Sequence, residues 1–144
     1  MAITSAICNS FKQEILEAEH NFTASTGNTF NLALYDSSAV LNKSTTVYTT
    51  SEELATTGGY TAKGNALTSV TPTLDSDTAI CDFADTSWTS ASFTARGCLI
   101  FNDSHASDAS VCAIDFGGDK TVTSGTFTVE FPAAAASTAI IQIA

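Results

Sequence analysis

The sequence predicts a mainly β protein, an antiparallel sandwich or small barrel of about seven strands with one short N-terminal helix. Three observations carry this expectation. From Thr29 onward, short apolar runs alternate with polar residues and are separated by clusters of Asp, Asn, Gly and Ser. Ser and Thr supply 40 of the 144 residues, and the β-branched hydroxyl side chain of Thr suits the solvent face of a strand. Helical periodicity occurs once, near the N-terminus, so alternating βαβ units are not expected.

The elements follow in chain order. Residues 5–20 read as the helix: Ile7, Phe11 and Ile15 recur every four residues, Ser5 is placed as N-cap, and the end falls near His20 and Asn21. Thr29–Tyr35 alternates Phe30, Leu32 and Leu34 with Asn31, Ala33 and Tyr35, the period of a strand with one buried face. Residues 36–65 form a polar excursion, with Val47–Thr50 as a short strand and Gly58-Gly59 as a turn. Its length is too great for an idle loop, so it either contains short elements or projects to meet something. Strands are then expected at Ala66–Leu74, Thr78–Ala84, Ser92–Asn102, Ser110–Phe116, Gly125–Phe131 and Thr138–Ile143. Between them NDSHASD and GGDK read as turns and PAAAAST as a plain connection. The final run IIQIA ends almost flush with its strand, which suggests that the strand is tied into a sheet. One domain is expected, with residues 1–22 as N-terminal segment and helix and residues 29–144 as the β portion.

Composition narrows the function classes. Charged residues make up only 14% of the chain and hydrophobic residues 44%, which argues for a folded domain over disorder. Fifteen acidic residues against five basic ones give a net charge of −10, and Lys12, Lys43, Lys63, Arg96 and Lys120 are dispersed. Phosphate binding needs clustered cations, so neither nucleic acid nor an anionic membrane is expected as a partner. No apolar run approaches the roughly 20 residues of a membrane span, and the N-terminus lacks a basic leader region, so neither insertion nor secretion is signalled. Cys8, Cys81, Cys98 and Cys112 form no CxxC pair and are read as reduced, buried thiols, with one or two disulfides left open by the even count.

A search for chemistry finds no catalytic, cofactor-binding or metal-ligating set. His20 and His105 have no GxSxG elbow beside them and read as solvated polar residues. The pairs Asp75 with Asp77, Asp82 with Asp85, and Asp103 with Asp108 lack calcium-loop spacing and read as turn formers. Gly58-Gly59, Gly117-Gly118 and Gly125 form no phosphate loop and read as turns. Phe83, Phe93, Phe101, Phe116, Phe127 and Phe131 are expected in the core. Trp88, in the polar link ADTSWTSAS, either covers an end of the sandwich or stacks on a sugar with Tyr48 and Tyr60 as companions, as in a carbohydrate-binding module.

Taken in order, SFKQEILEAEHNF, TFNLALYDSSAVLNKSTTVYTT, GGYTAKGNALT, FTARGCLIFND, AIDFGGDKTVTSGTFTVEFP and the terminal AIIQIA form a set that spans nearly the whole chain. This set resembles a family of small, β-rich virion structural proteins of tailed bacteriophages. The resemblance implies a particle protein without catalytic residues or cofactor. The role it implies is head decoration: a cement protein, often trimeric, that bridges neighbouring major capsid proteins. A tail-tube, tail-terminator, neck or head-fibre subunit is the alternative. The implied partners are copies of itself and the major capsid protein, and the implied location is the virion, assembled in the host bacterial cytoplasm. Candidate assembly contacts are Met1, Ala2, Ile3, Ile7 and Phe11 at the N-terminus and Tyr48 and Tyr60 in the excursion. The competing expectation for Ile3 and Ile7 is packing on their own domain.

Overall fold

The computed structural model describes residues 2–144, so Met1, one of the candidate contacts, lies outside the described residues. Two antiparallel sheets make an open sandwich, and no barrel closes. The larger sheet has the order β1(Ala6–Ile7), β7(Ser110–Val129), β6(Thr86–Asn102), β2(Phe30–Tyr35), β3(Asn65–Ala66). The smaller has the order β4(Ser69–Asp75), β5(Thr78–Phe83), β8(Ile141–Ile143). The single helix α1 runs from Asn9 to Leu16.

The helix is shorter than its periodicity suggests, for reasons at both ends. Ala6 and Ile7 pair with Ala113 and Cys112 of β7, which removes Ser5–Ile7 from the helix and leaves Cys8, not Ser5, at the N-cap. The Cys8 amide then donates to Val111 O at 2.9 Å and the Asn9 amide to Lys43 O at 2.7 Å. At the other end Ala18 takes a positive φ of 61°, a left-handed turn that ends the helix before His20.

The β6–β7 ribbon is the backbone of the fold. The runs expected at 110–116 and 125–131 are one strand, and Gly117, Gly118 and Gly125 lie inside it rather than in turns. The register shifts between the Ala95/Lys120 and Gly97/Asp115 pairs, and Gly117 supplies the positive φ of 79° at this irregularity. Pairing with β6 on one side therefore carries the strand through a locally turn-like dipeptide. Trp88, expected in a loop, lies in β6 and is only 4% exposed, against Tyr60, Phe93 and Phe127.

Both faces of β2 are buried, in contrast to the single buried face its alternation predicts. Phe30, Leu32 and Leu34 join the core between the sheets, where Phe22 stacks on Phe30 at 4.2 Å and Phe30 meets Phe83 at 5.9 Å. Ala33 and Tyr35 join a second core with Leu99, Phe101 and Ala113, covered by Ile3, Ala39 and Leu41. The 36–65 excursion is the cover of this second core. It contains β-bridges in place of the expected strand at Val47–Thr50: Leu41 pairs with Ile3, Val47 with Ala109, and Glu53 with Tyr35.

Candidate assembly surface

Two polar clusters stand out among the described residues, one centred on Glu53 and one on His20. Glu53 is a hub: its Oε1 accepts from the Tyr60 hydroxyl and the Lys63 amide, both at 2.7 Å, and its Oε2 accepts from the Tyr48 hydroxyl at 2.5 Å. The Tyr60 oxygen in turn accepts from Leu34 N–H at 3.0 Å, which ties the excursion to β2. Burial first, and the Glu53 carboxylate second, push both phenols above the usual tyrosine range, so they act as donors to the carboxylate. The Gly64 backbone makes this approach possible: at its φ of 65° a Cβ would stand 1.8 Å from Leu32 O. Lys63 donates to Asp103 and Asp108 at 2.8 Å each and lies over the Tyr48 and Phe101 rings. Those hydrogen bonds hold its ammonium above the ordinary lysine range.

The histidines form a second cluster. His20, expected in solvent, is buried; its Nε2 lies 2.7 Å from Glu14 Oε2, and its Nδ1 accepts from Asn102 Nδ2 at 3.0 Å. His105 stacks on it at 6.1 Å, with Nε2 3.2 Å from Glu19 and Nδ1 3.0 Å from the Ser107 hydroxyl. The hydroxyl–imidazole–carboxylate order of Ser107, His105 and Glu19 is that of a hydrolase triad, but these residues line none of the three principal cavities. Among the described residues, no group of three or more His, Cys, Asp or Glu side chains is placed to hold a metal ion. The four cysteines are unpaired and buried. Burial pushes the thiols of Cys81 and Cys112 up to about 12, far from the range of a reactive thiolate.

Of the candidate contacts, Ile3, Phe11 and Tyr60 are 5%, 4% and 2% exposed and pack inside their own domain. Ile7 and Tyr48 are half-buried against the two cores, and Ala2 is exposed. Trp88 presents no free ring face to a sugar. The uncovered apolar surface lies elsewhere, at the open end of the sandwich between α1 and the small sheet. There a cleft of about 610 Å³ is floored by Phe11, Ile15, Pro72, Cys81 and Ile141, with Leu16 and Ile143 in its wall. Leu16 is 88% exposed, Ile143 59%, and Leu74, in register with Ala79 and through it with Ile143, 75%. Lys12 is the one charged residue in the lining; no carboxylate enters it. A second groove of about 520 Å³, along the end of β7, shares Ile140 with the first.

Exposed Leu16 was legible as a residue on the helix but not as part of a surface. The small sheet that completes the cleft lies more than fifty residues further along the chain, and its strand β8 more than a hundred. No family model matches this chain, no curated protein matches it, and no solved structure matches it.

Proposed function

We propose that the chain is a structural protein of a tailed-bacteriophage virion, a head decoration protein that bridges neighbouring major capsid subunits. The observation that supports this reading best is the carboxylate-free apolar cleft, with exposed Leu16 and Ile143 in its wall and exposed Leu74 on the same small sheet. Contiguous apolar surface on a folded domain marks an interaction site, and removing it from water contributes roughly 25 cal/mol per Å². Repeated over many copies on a lattice, a modest contact of this kind stabilises a shell. The ordered motifs that resemble phage virion proteins point the same way, and nothing in this reading requires catalysis.

The test uses particles that lack the protein. Adding it back raises the temperature at which heads release their genome; a Leu16→Glu, Leu74→Glu, Ile143→Glu variant keeps its circular dichroism spectrum but neither binds nor protects. Particles that resist heating equally well with and without the protein overturn the cement role. A second reading, a tail-tube, terminator or neck subunit, draws on the open edge of β7, since strand addition around a ring would use it. Rings formed by the isolated protein, without binding to empty heads, favour that reading.

A further inference from the structure

Two apolar grooves meet at Ile140: the cleft between α1 and the small sheet, and the groove along the end of β7. In the second, Ile114, Phe116, Phe127, Val129, Phe131 and Ile140 are half-buried residues that pack on the core and also line the groove. The charges along these linings run against those of the chain. Acidic residues outnumber basic ones by fifteen to five overall, yet the two linings hold Lys12, Lys120 and a single carboxylate, Glu130. Lys63 and Arg96 are held by aspartates. Lys12, Lys43 and Lys120 make no ion pair among the described residues, and two of these three lysines therefore stand on the apolar surface. Lys12 Nζ donates only to Asn9 Oδ1, at 3.3 Å.

We infer that the joined grooves dock an apolar segment of a partner protein that carries acidic residues on both flanks, one carboxylate meeting Lys12 and another meeting Lys120. Charge complementarity selects this occupant. Exposed charges more than about 8 Å apart are largely screened at physiological salt, so the lysines within the contact weigh more than the net charge of −10. A basic segment finds one carboxylate, Glu130, where an acidic one finds two ammonium groups. Two features favour a peptide over a lipid or a small molecule. Leu16 and Ile143 in the wall of the first groove are 88% and 59% exposed, whereas a small-molecule site encloses most of its ligand. The two lysines also lie in different grooves, so an amphiphile with one anionic head satisfies one of them and leaves the other unpaired. A second copy docked face to face brings the same lysine-bearing surface against itself, with no excess of carboxylate to meet it. A segment with an apolar centre between acidic flanks matches both the floor and its charges.

This deepens the assembly reading by naming the chemistry of the segment that the partner supplies, and it rests on that reading for the partner's source alone. A displayed library of random peptides, each about twelve residues long, is selected against the isolated protein, and the enriched peptides are titrated by fluorescence anisotropy at low and high salt. The expected result is a set of peptides with an apolar centre and Asp or Glu on both flanks. Their binding falls by at least about tenfold in a Lys12→Glu, Lys120→Glu variant, is lost in Leu16→Glu, and weakens with salt in the natural chain, a readout that needs no variant. Circular dichroism checks that each variant keeps its fold. Peptides that are basic or uncharged, binding that neither salt nor the reversals change, or a selection that enriches nothing overturns the inference. Dodecanoate that displaces the peptides from a single site, or self-association that Leu16→Glu abolishes, overturns it in favour of a lipid or a second copy. Heads that bind the natural chain and the double reversal equally well sink this inference and leave the decoration reading standing. Acidic-flanked peptides that bind in the grooves of a chain that heads do not take up do the reverse.

Discussion

The amide of Asn102 sets the state of the ring beside it. Asn102 is fully buried; its Oδ1 accepts from Ser104 N–H at 3.0 Å, which orients Nδ2 toward Asn28 Oδ1 at 3.1 Å and His20 Nδ1 at 3.0 Å. His20 Nδ1 is thereby an acceptor, and Nε2–H is left to donate to Glu14. Nothing in the sequence pairs residue 20 with residue 102, which is why His20 reads locally as a solvated residue. The thiols behave differently, because their burial was legible from the apolar runs around them. Their effect on stability has a definite sign. An unfolded cysteine titrates near the reference value of 9.0, whereas Cys81 and Cys112 hold their protons to about 12 in the fold. Between these values the unfolded chain binds fewer protons than the native one, so stability is intact below pH 9 and falls as pH rises toward 12. Each thiol contributes a slope of about 1.4 kcal/mol per pH unit. Urea unfolding at pH 8, 9 and 10 should show this decline, and Cys112→Ala should lessen it by one thiol's share while Cys81 keeps its own. A thiol reagent at pH 8 should label the native protein no faster than global opening allows.

At the scale of elements, the excursion is the piece whose role changed most between sequence and structure. Its length announced that it was not idle, and the structure shows it folded back over the outer face of β2, held by Glu53, Tyr48 and Tyr60. Tyr60 is 2% exposed and its hydroxyl bridges a carboxylate and a strand amide, so Tyr60→Phe should destabilise the protein by about 2–3 kcal/mol in urea unfolding. Glu53→Ala should cost more, since it strands three donors at once, and it should expose the 36–65 segment to limited proteolysis. An unchanged midpoint in either variant would show that the hub does not hold the cover. β7 teaches the complementary lesson. A Gly-Gly dipeptide signals a turn locally, yet the continuous ladder with β6 decides otherwise, because an antiparallel pair absorbs an irregularity through a bulge.

For the molecule as a whole, the placement of charge explains how an acidic chain keeps an apolar end. Of the fifteen carboxylates, only Glu52, Asp77 and Glu130 accept no hydrogen bond or ion pair among the described residues. Asp75 and Asp85, read as turn formers, instead hold the amides of Ala136 and Phe131 and so pin the C-terminal connection to the sandwich. The accessible area of 7108 Å² matches the roughly 7,000 Å² of a compact monomer of this mass, so the exposed leucines belong to a closed fold rather than a splayed one. The two sheets share one core through Phe22, Phe30 and Phe83. Phe83→Ala, at 3% exposure, should therefore cost about 3–5 kcal/mol. Although Phe83 lies in the small sheet, Trp88 fluorescence and far-UV circular dichroism should shift together. Separate midpoints for the two probes would mean that the sheets unfold independently.

The sequence by itself determined the β class, the single helix, the positions of most strands and the burial of the thiols, because these rest on periodicity and composition within a few residues. Only the tertiary structure decided that β2 is buried on both faces, that His20 and Trp88 are interior, that 110–129 is one strand, and that Leu16 and Ile143 meet at one open end. Each of these depends on a neighbour distant in sequence, and side-chain patterning records which face is apolar without recording what covers it. The uncovered end is therefore a property of the fold, visible only once the helix and the small sheet have been placed beside one another.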